Sequence, residues 1–126
     1  MFHAWRTLRC FRLNQATIPT RDTVTAFSIG VIDAGVGGTF YKGVIHLSPP
    51  GSIVLLNPGD VHTGFSAGRV PLSYRMLYVG SDLMHRLVSD VGAKSVVHFT
   101  EPVIQNSPLA SQIRRFHLMT LPCSFF

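Results

Sequence analysis

The run from Gly51 to Phe65, GSIVLLNPGDVHTGF, constrains this chain more than any other segment. Ile53, Val54, Leu55 and Leu56 form a short continuous apolar run, which suits a strand buried on both faces. Asn57-Pro58-Gly59-Asp60 then supplies turn chemistry. Pro58 presets φ for the first central position, and Gly59 accepts the positive φ that a type II turn needs at the second. Val61, His62 and Phe65 belong to the next strand. The unit reads as a buried strand, a tight turn and a second strand that opens with a histidine.

Around it the pattern is β for most of the length. Residues 1–22 carry no clean period and read as an irregular N-terminal segment. From Thr23 two parities separate: Val24, Ala26, Ser28 and Gly30 on one face, Thr25, Phe27, Ile29 and Val31 on the other. The second set is larger and more apolar and is expected to face inward. Asp33-Ala34-Gly35 and Gly37-Gly38 break the strand, Thr39 to Leu47 resumes as one, and Pro49-Pro50-Gly51 ends it. Leu72, Tyr74, Met76 and Tyr78 share one face of a later strand. Six strand-like segments with short Gly/Pro connections predict a sandwich or small barrel over residues 23–105.

The last third changes period. Leu83, Met84, Leu87, Val88 and Val91 predict a helix over 81–91, capped by Ser81 or Asp82 and closed by Gly92. Val96 to Phe99 reads as a short strand or extended piece. Ser107 followed by Pro108 is a helix opening, cap then first-turn proline. Leu109, Ile113 and Phe116 repeat at helical spacing, placing a helix in 106–120 and leaving 121–126 as a tail. The fold class expected is mainly β with C-terminal helices.

Composition narrows the function classes. At 126 residues, 46% hydrophobic and 13% charged, the chain is one ordered domain. No apolar run approaches the roughly 20 residues that span a bilayer, the start lacks a signal-peptide pattern, and the expected setting is cytoplasmic with no membrane partner. The formal charge of +5 comes from scattered cations without an aromatic-interleaved stripe, so direct DNA contact is not read from it. Cys10 and Cys123, outside any CxxC spacing, read as reduced thiols.

Strand, Pro-Gly turn and histidine together resemble a unit of small cupin, or jelly-roll, barrels. The ordered set of Phe27–Gly35, Thr39–Gly43, Pro50–His62, Tyr74–Val79, Phe99–Ile104 and the Leu109 helix resembles the N-terminal sensor domain of AraC-family transcription regulators. That resemblance covers about Phe27 to Leu118. It implies a barrel that binds a small-molecule effector, a helical segment that makes a homodimer, and DNA binding through a separate C-terminal domain with two helix-turn-helix motifs. Nothing from Leu109 onward supplies such motifs, so the chain is expected to be a sensor domain truncated before its DNA-binding domain. The neighbourhood Thr20–Thr25 also lacks the His-x-His that family members often carry there. Odd sequence at both ends raises the further reading of a remnant from a degraded or frameshifted gene.

The candidate chemistry follows. A catalytic cupin needs several ligands for its metal, and His3, His46, His62, His85, His98 and His117 include no His-x-His. A single imidazole does not make a stable site, so no metal, no cofactor and no catalytic residue are expected. His62 either braces the turn or donates to an effector, and His46 is placed to approach it across the barrel. Phe27, Ile29, His46, His62, Tyr74, Met76 and Tyr78 are the candidate ligand-binding residues; the phenols stand out because a buried hydroxyl needs a partner. Arg75, on the opposite parity, is expected in solvent, as are His85 and Arg86 on the polar side of their helix. Leu109, Ile113 and Phe116 are the candidate dimer surface. Ser66, Ser73 and Ser81 lack a nucleophile elbow, and Gly35–Gly38 lacks the ending of a phosphate loop. A stand-alone small cupin enzyme is the alternative.

Overall fold

In a computed structural model of the chain, the Asn57–Asp60 turn forms as its residues require. Gly59 has φ +85°, and the Asp60 amide donates to the Asn57 carbonyl at 3.1 Å. The structure describes residues 8–15, 20–23, 26–92, 96–119 and 124–125, the stretches 8–15, 20–23 and 124–125 as backbone. The strands are β1 Leu8–Gln15, β2 Thr20–Thr23, β3 Phe27–Ala34, β4 Gly37–Tyr41, β5 Val44–Ser48, β6 Ser52–Leu56, β7 Val61–Ser66, β8 Leu72–Val79, β9 Val103–Gln105 and β10 Ser124–Phe125. The helices are α1 Ser81–Asp90 and α2 Ser107–Met119.

Two sheets face each other. One has six strands in the order β10-β1-β8-β3-β6-β9, the other four in the order β2-β7-β4-β5. All neighbours are antiparallel except β1 and β10. This is a jelly-roll barrel with C-terminal helices, the fold class expected. β6 carries the apolar run from Ile53 to Leu56. It lies between β3 and β9, with α2 over one face and the barrel interior over the other: Ile53 is 0% and Leu56 1% exposed.

The core divides at the six-stranded sheet. On its barrel side Ile32, Val54, Leu56 and Leu72 pack together with Tyr74. On its outer side Val31, Ile53 and Ala110 pack with Ile29, Leu55, Ile104 and Ile113, so α2 lies across that face. Ala110 has almost no side chain, which lets the helix backbone come close.

Four expectations change, and the strand-or-extended reading of Val96–Phe99 resolves to the extended one. Residues 1–22 hold β1 and most of β2; β1 is an eight-residue strand paired along the whole of β8 from Leu8↔Val79 to Gln15↔Leu72. The stretch Thr39–Leu47 is a hairpin, not one strand: Tyr41 pairs with Val44 around Lys42 (φ +50°) and Gly43 (φ +79°). Positive φ at both central positions is the I′ geometry that fits strand twist, and lysine there hides it from a search for Asn-Gly. The Lys42 ammonium sits 5.2 Å from the Tyr41 ring centroid. α1 begins after Gly80, with no side-chain cap from Ser81 or Asp82, and Gly92 (φ +81°) closes it by donating to the Ser89 carbonyl. The cap of α2 is Asn106, whose Oδ1 accepts from the Leu109 amide at 3.0 Å, one residue before the Ser107 expected. Val96–Phe99 joins no ladder. Phe99 instead makes two backbone bonds to the Asn57 carboxamide, 2.7 Å to Oδ1 and 2.8 Å from Nδ2.

Candidate ligand cavity and the helix behind it

Alternation along three strands of the six-stranded sheet creates an apolar wall. Ile32 of β3, Val54 and Leu56 of β6, and Leu72 and Met76 of β8 point between the sheets, with the Tyr74 ring among them. Gly30 leaves room for Met76: a Cβ there would lie 2.3 Å from the thioether sulfur. The four-stranded sheet answers with a more polar wall of Thr39, Ser48 and His62 beside the Phe65 ring, interrupted by Gly37, Gly38 and Gly64. A Cβ built on Gly64 meets nothing within 4 Å among the described residues. Between the walls, the space open to the centre of a water-sized sphere is about 80 Å³. Burial and the neighbouring Tyr78 phenol push the Tyr74 hydroxyl up from 10.0 to about 12.

The seven candidates for ligand contact therefore separate. His62, Tyr74 and Met76 line the cavity. Phe27 and Ile29 do not: the parity read as inward is the face toward α2. Ile29 packs beside Val31 under the helix, and the Phe27 ring meets the Phe99 ring edge-on at 5.6 Å between centroids. The expected parity failed because β3 is buried on both faces, Phe27 and Ile32 both being 4% exposed, so side-chain size does not reveal which face is the barrel's. His46 lies opposite Thr39 in register but outside the lining, as does Tyr78, two residues beyond Met76 on the same parity. Pairing recovers what residue type missed. Thr39 and Ser48 come from the hairpin that the sequence hid, and Gly64 is the register partner of Thr39.

His62 comes second in β7 because the tight turn sets where that strand begins. The turn is tied to its surroundings: the Asp60 carboxylate accepts from the Asn57 amide at 2.8 Å and from the Tyr41 hydroxyl at 3.0 Å. No three His, Cys, Asp or Glu side chains come together as metal ligands among the described residues.

Behind the apolar wall lies a polar cluster. Ladder register shifts between Ile32 and Ala34, leaving Asp33 as the extra residue of a β-bulge. Its carboxylate faces two guanidinium groups: Arg75 Nε at 2.8 Å from Oδ2 and Arg114 Nε at 3.0 Å from Oδ1. The Arg75 contact is an ion pair without hydrogen-bond direction, whereas Arg114 donates to Oδ1 and, through Nη2, to the Ile32 carbonyl at 3.1 Å. Arg75 Nη1 also stands 3.3 Å from His117 Nδ1. A guanidinium only donates, so Nδ1 accepts and the neutral ring carries its proton on Nε2. Arg75 is thus held inside, its side chain 14% exposed, and not in solvent as expected. On α2, Ile113 faces the sheet as well, while Leu109 (37% exposed) and Phe116 (47%) face out.

Comparison with known proteins agrees with this architecture. The family model described as the AraC-like ligand binding domain matches residues 13–119. An uncharacterized HTH-type transcriptional regulator of Bacillus subtilis, YbfI, is 24% identical over 94 residues, which are 74% of this chain and 34% of that protein. The crystal structure of ToxT from Vibrio cholerae superposes with a TM-score of 0.64 at 10% identity, over 94% of this chain and 47% of that one. A second ToxT structure, bound to an unsaturated fatty acid, gives 0.60 at 12% identity over 88% and 45%. The chain spans about a third of the regulator's length and less than half of the ToxT chains.

Proposed function

This chain belongs to the AraC-like ligand-binding domains, and we propose that it senses a small-molecule effector for a transcription regulator that acts in the cytoplasm. The cavity between the sheets is the effector site, with His62, Tyr74 and Met76 among its contacts. The outer stripe of α2, Leu109 and Phe116 with Met119, is the homodimer surface. Output on DNA belongs to helix-turn-helix modules outside these 126 residues. The similarity to an HTH-type regulator supports the regulatory setting, and a solved relative of the same fold carries a bound organic ligand.

The observation that carries the reading is the back-to-back placement of cavity and helix on the same strands. Along β8, Tyr74 and Met76 enter the cavity while Arg75 between them holds α2 through Asp33 and His117. Along β3, Ile32 enters the cavity while its carbonyl accepts from Arg114 of α2. An effector acts by binding one arrangement of this assembly better than another. Leu109, Phe116 and Met119 stand at helical spacing, and Met119 is 75% exposed. Ile113 is assigned to packing within the chain, not to the partner.

Sedimentation velocity tests the dimer. The wild-type chain should sediment as a dimer, and Leu109→Gln with Phe116→Gln should give a folded monomer. An unchanged mass in the double variant refutes the role of α2. Ile113→Gln should lower stability in monomer and dimer alike.

A further inference from the structure

We propose that the cavity takes an uncharged ligand with a hydrocarbon face and a hydroxylated edge, a compact alcohol or diol no larger than a substituted six-membered ring. The inference deepens the reading of the cavity as effector site and rests on it. The two walls differ in kind. Ile32, Val54, Leu56, Leu72 and Met76 offer hydrocarbon and a thioether with the Tyr74 phenol among them, while Thr39, Ser48 and His62 stand on the opposing sheet beside the Phe65 ring. Hydroxyl groups both donate and accept, and a neutral imidazole does one of each, so the polar wall matches ligand hydroxyls. A ligand lying between the walls meets mainly hydrocarbon on one side and two hydroxyls and an imidazole on the other.

Size follows from the space. A space of about 80 Å³ suits a compact ring compound better than a long chain.

Charge follows from the surroundings. Among the described residues, the lining carries no Lys, Arg, Asp or Glu. A carboxylate placed there would lose its hydration without a counterion, a cost of several kcal/mol unless it is protonated. Tyr74 reports the same environment: burial and the Tyr78 phenol together raise its hydroxyl to about 12. Negative charge on this side of the cavity is disfavoured before any ligand arrives.

Isothermal titration of the 126-residue chain with three ring compounds of similar size tests this: cis-1,2-cyclohexanediol, cyclohexanol and cyclohexanecarboxylate at neutral pH. The diol should bind about three- to tenfold tighter than the single alcohol, the worth of one added hydrogen bond. The carboxylate should bind at least about tenfold more weakly than the diol. Gly64→Leu, which fills open space in the polar wall, should abolish diol binding, and Thr39→Val should remove most of the diol's advantage. If Gly64→Leu does not fold, Thr39→Val decides alone. Carboxylate binding as tight as the diol's, or no binding by either alcohol, overturns the ligand class. If the carboxylate binds best and Gly64→Leu abolishes that binding, the class falls and the cavity remains the site. Binding that a folded Gly64→Leu protein retains overturns the cavity assignment as well.

Discussion

Replacing Asp33 by asparagine removes the only anion placed against Arg75 and Arg114 among the described residues, and the cost follows from the contacts. The Asp33 side chain is 16% exposed and that of Arg75 14%, so this pair is largely out of water. Deleting one partner of a buried pair costs about 3–5 kcal/mol, because the remaining charge stays buried and uncompensated. The Arg75 contact lacks hydrogen-bond direction, which favours the lower end of that range. The Arg114 pair is more open, 35% on the arginine side, and adds at most about 1 kcal/mol. The asparagine oxygen keeps one acceptor and returns about 1 kcal/mol. The expected net loss is therefore about 3 kcal/mol, a large share of the 5–15 kcal/mol typical of a domain. Urea unfolding followed by circular dichroism measures it, and a loss below about 1 kcal/mol would refute the reasoning. A second arm isolates the cause. Adding Arg75→Met removes the stranded cation, so the double variant should recover at least about 1 kcal/mol of the loss. A double variant worse than Asp33→Asn alone would show that packing by the arginine stem, not charge, dominates.

Two shorter predictions concern the turn and the cavity. Asn57→Ala leaves the Phe99 amide and carbonyl without the carboxamide that pairs both; it should cost about 2 kcal/mol and speed hydrogen exchange of the Phe99 amide, and unchanged exchange would count against the bracket. For Tyr74 the folded value, about 12, lies above the free value of 10.0. Its stabilising contribution is then complete below pH 10 and lost as pH rises toward 12. Urea unfolding at rising pH should show a falling stability over that window in wild type and a flatter one in Tyr74→Phe; identical slopes would refute the burial of the phenol.

Much of the barrel was legible because it rests on local chemistry. The Ile53–Leu56 run, the Pro58-Gly59 turn and the Leu72-Tyr74-Met76 alternation each carry their own signal, and each forms as read. The failures share one cause: the decisive fact is nonlocal or uses an uncommon residue. Lys42 fills a positive-φ position that is usually Asn, so the β4–β5 hairpin and its polar contributions to the cavity were hidden. β1 lacks a clean apolar period, yet pairs along all of β8. Arg75 looks like a solvent residue until the Asp33 bulge and α2 converge on it. No pattern within β8 announces partners from β3 and from forty residues downstream.

The error at β3 shows how directly function depends on parity. A strand covered on both faces puts Phe27, Ile29 and Val31 on one side and Ser28, Gly30 and Ile32 on the other, and both sets are largely out of solvent. Hydrophobicity favours the first set as barrel lining; the structure assigns the lining to the second, with a glycine at its centre. The physical reason lies across the sheet. On the cavity face Gly30 leaves room that the Met76 side chain fills, whereas on the outer face Ile29 and Val31 pack under the helix. In β3 the less apolar parity is the one that borders the cavity, whereas in β8 the more apolar one does.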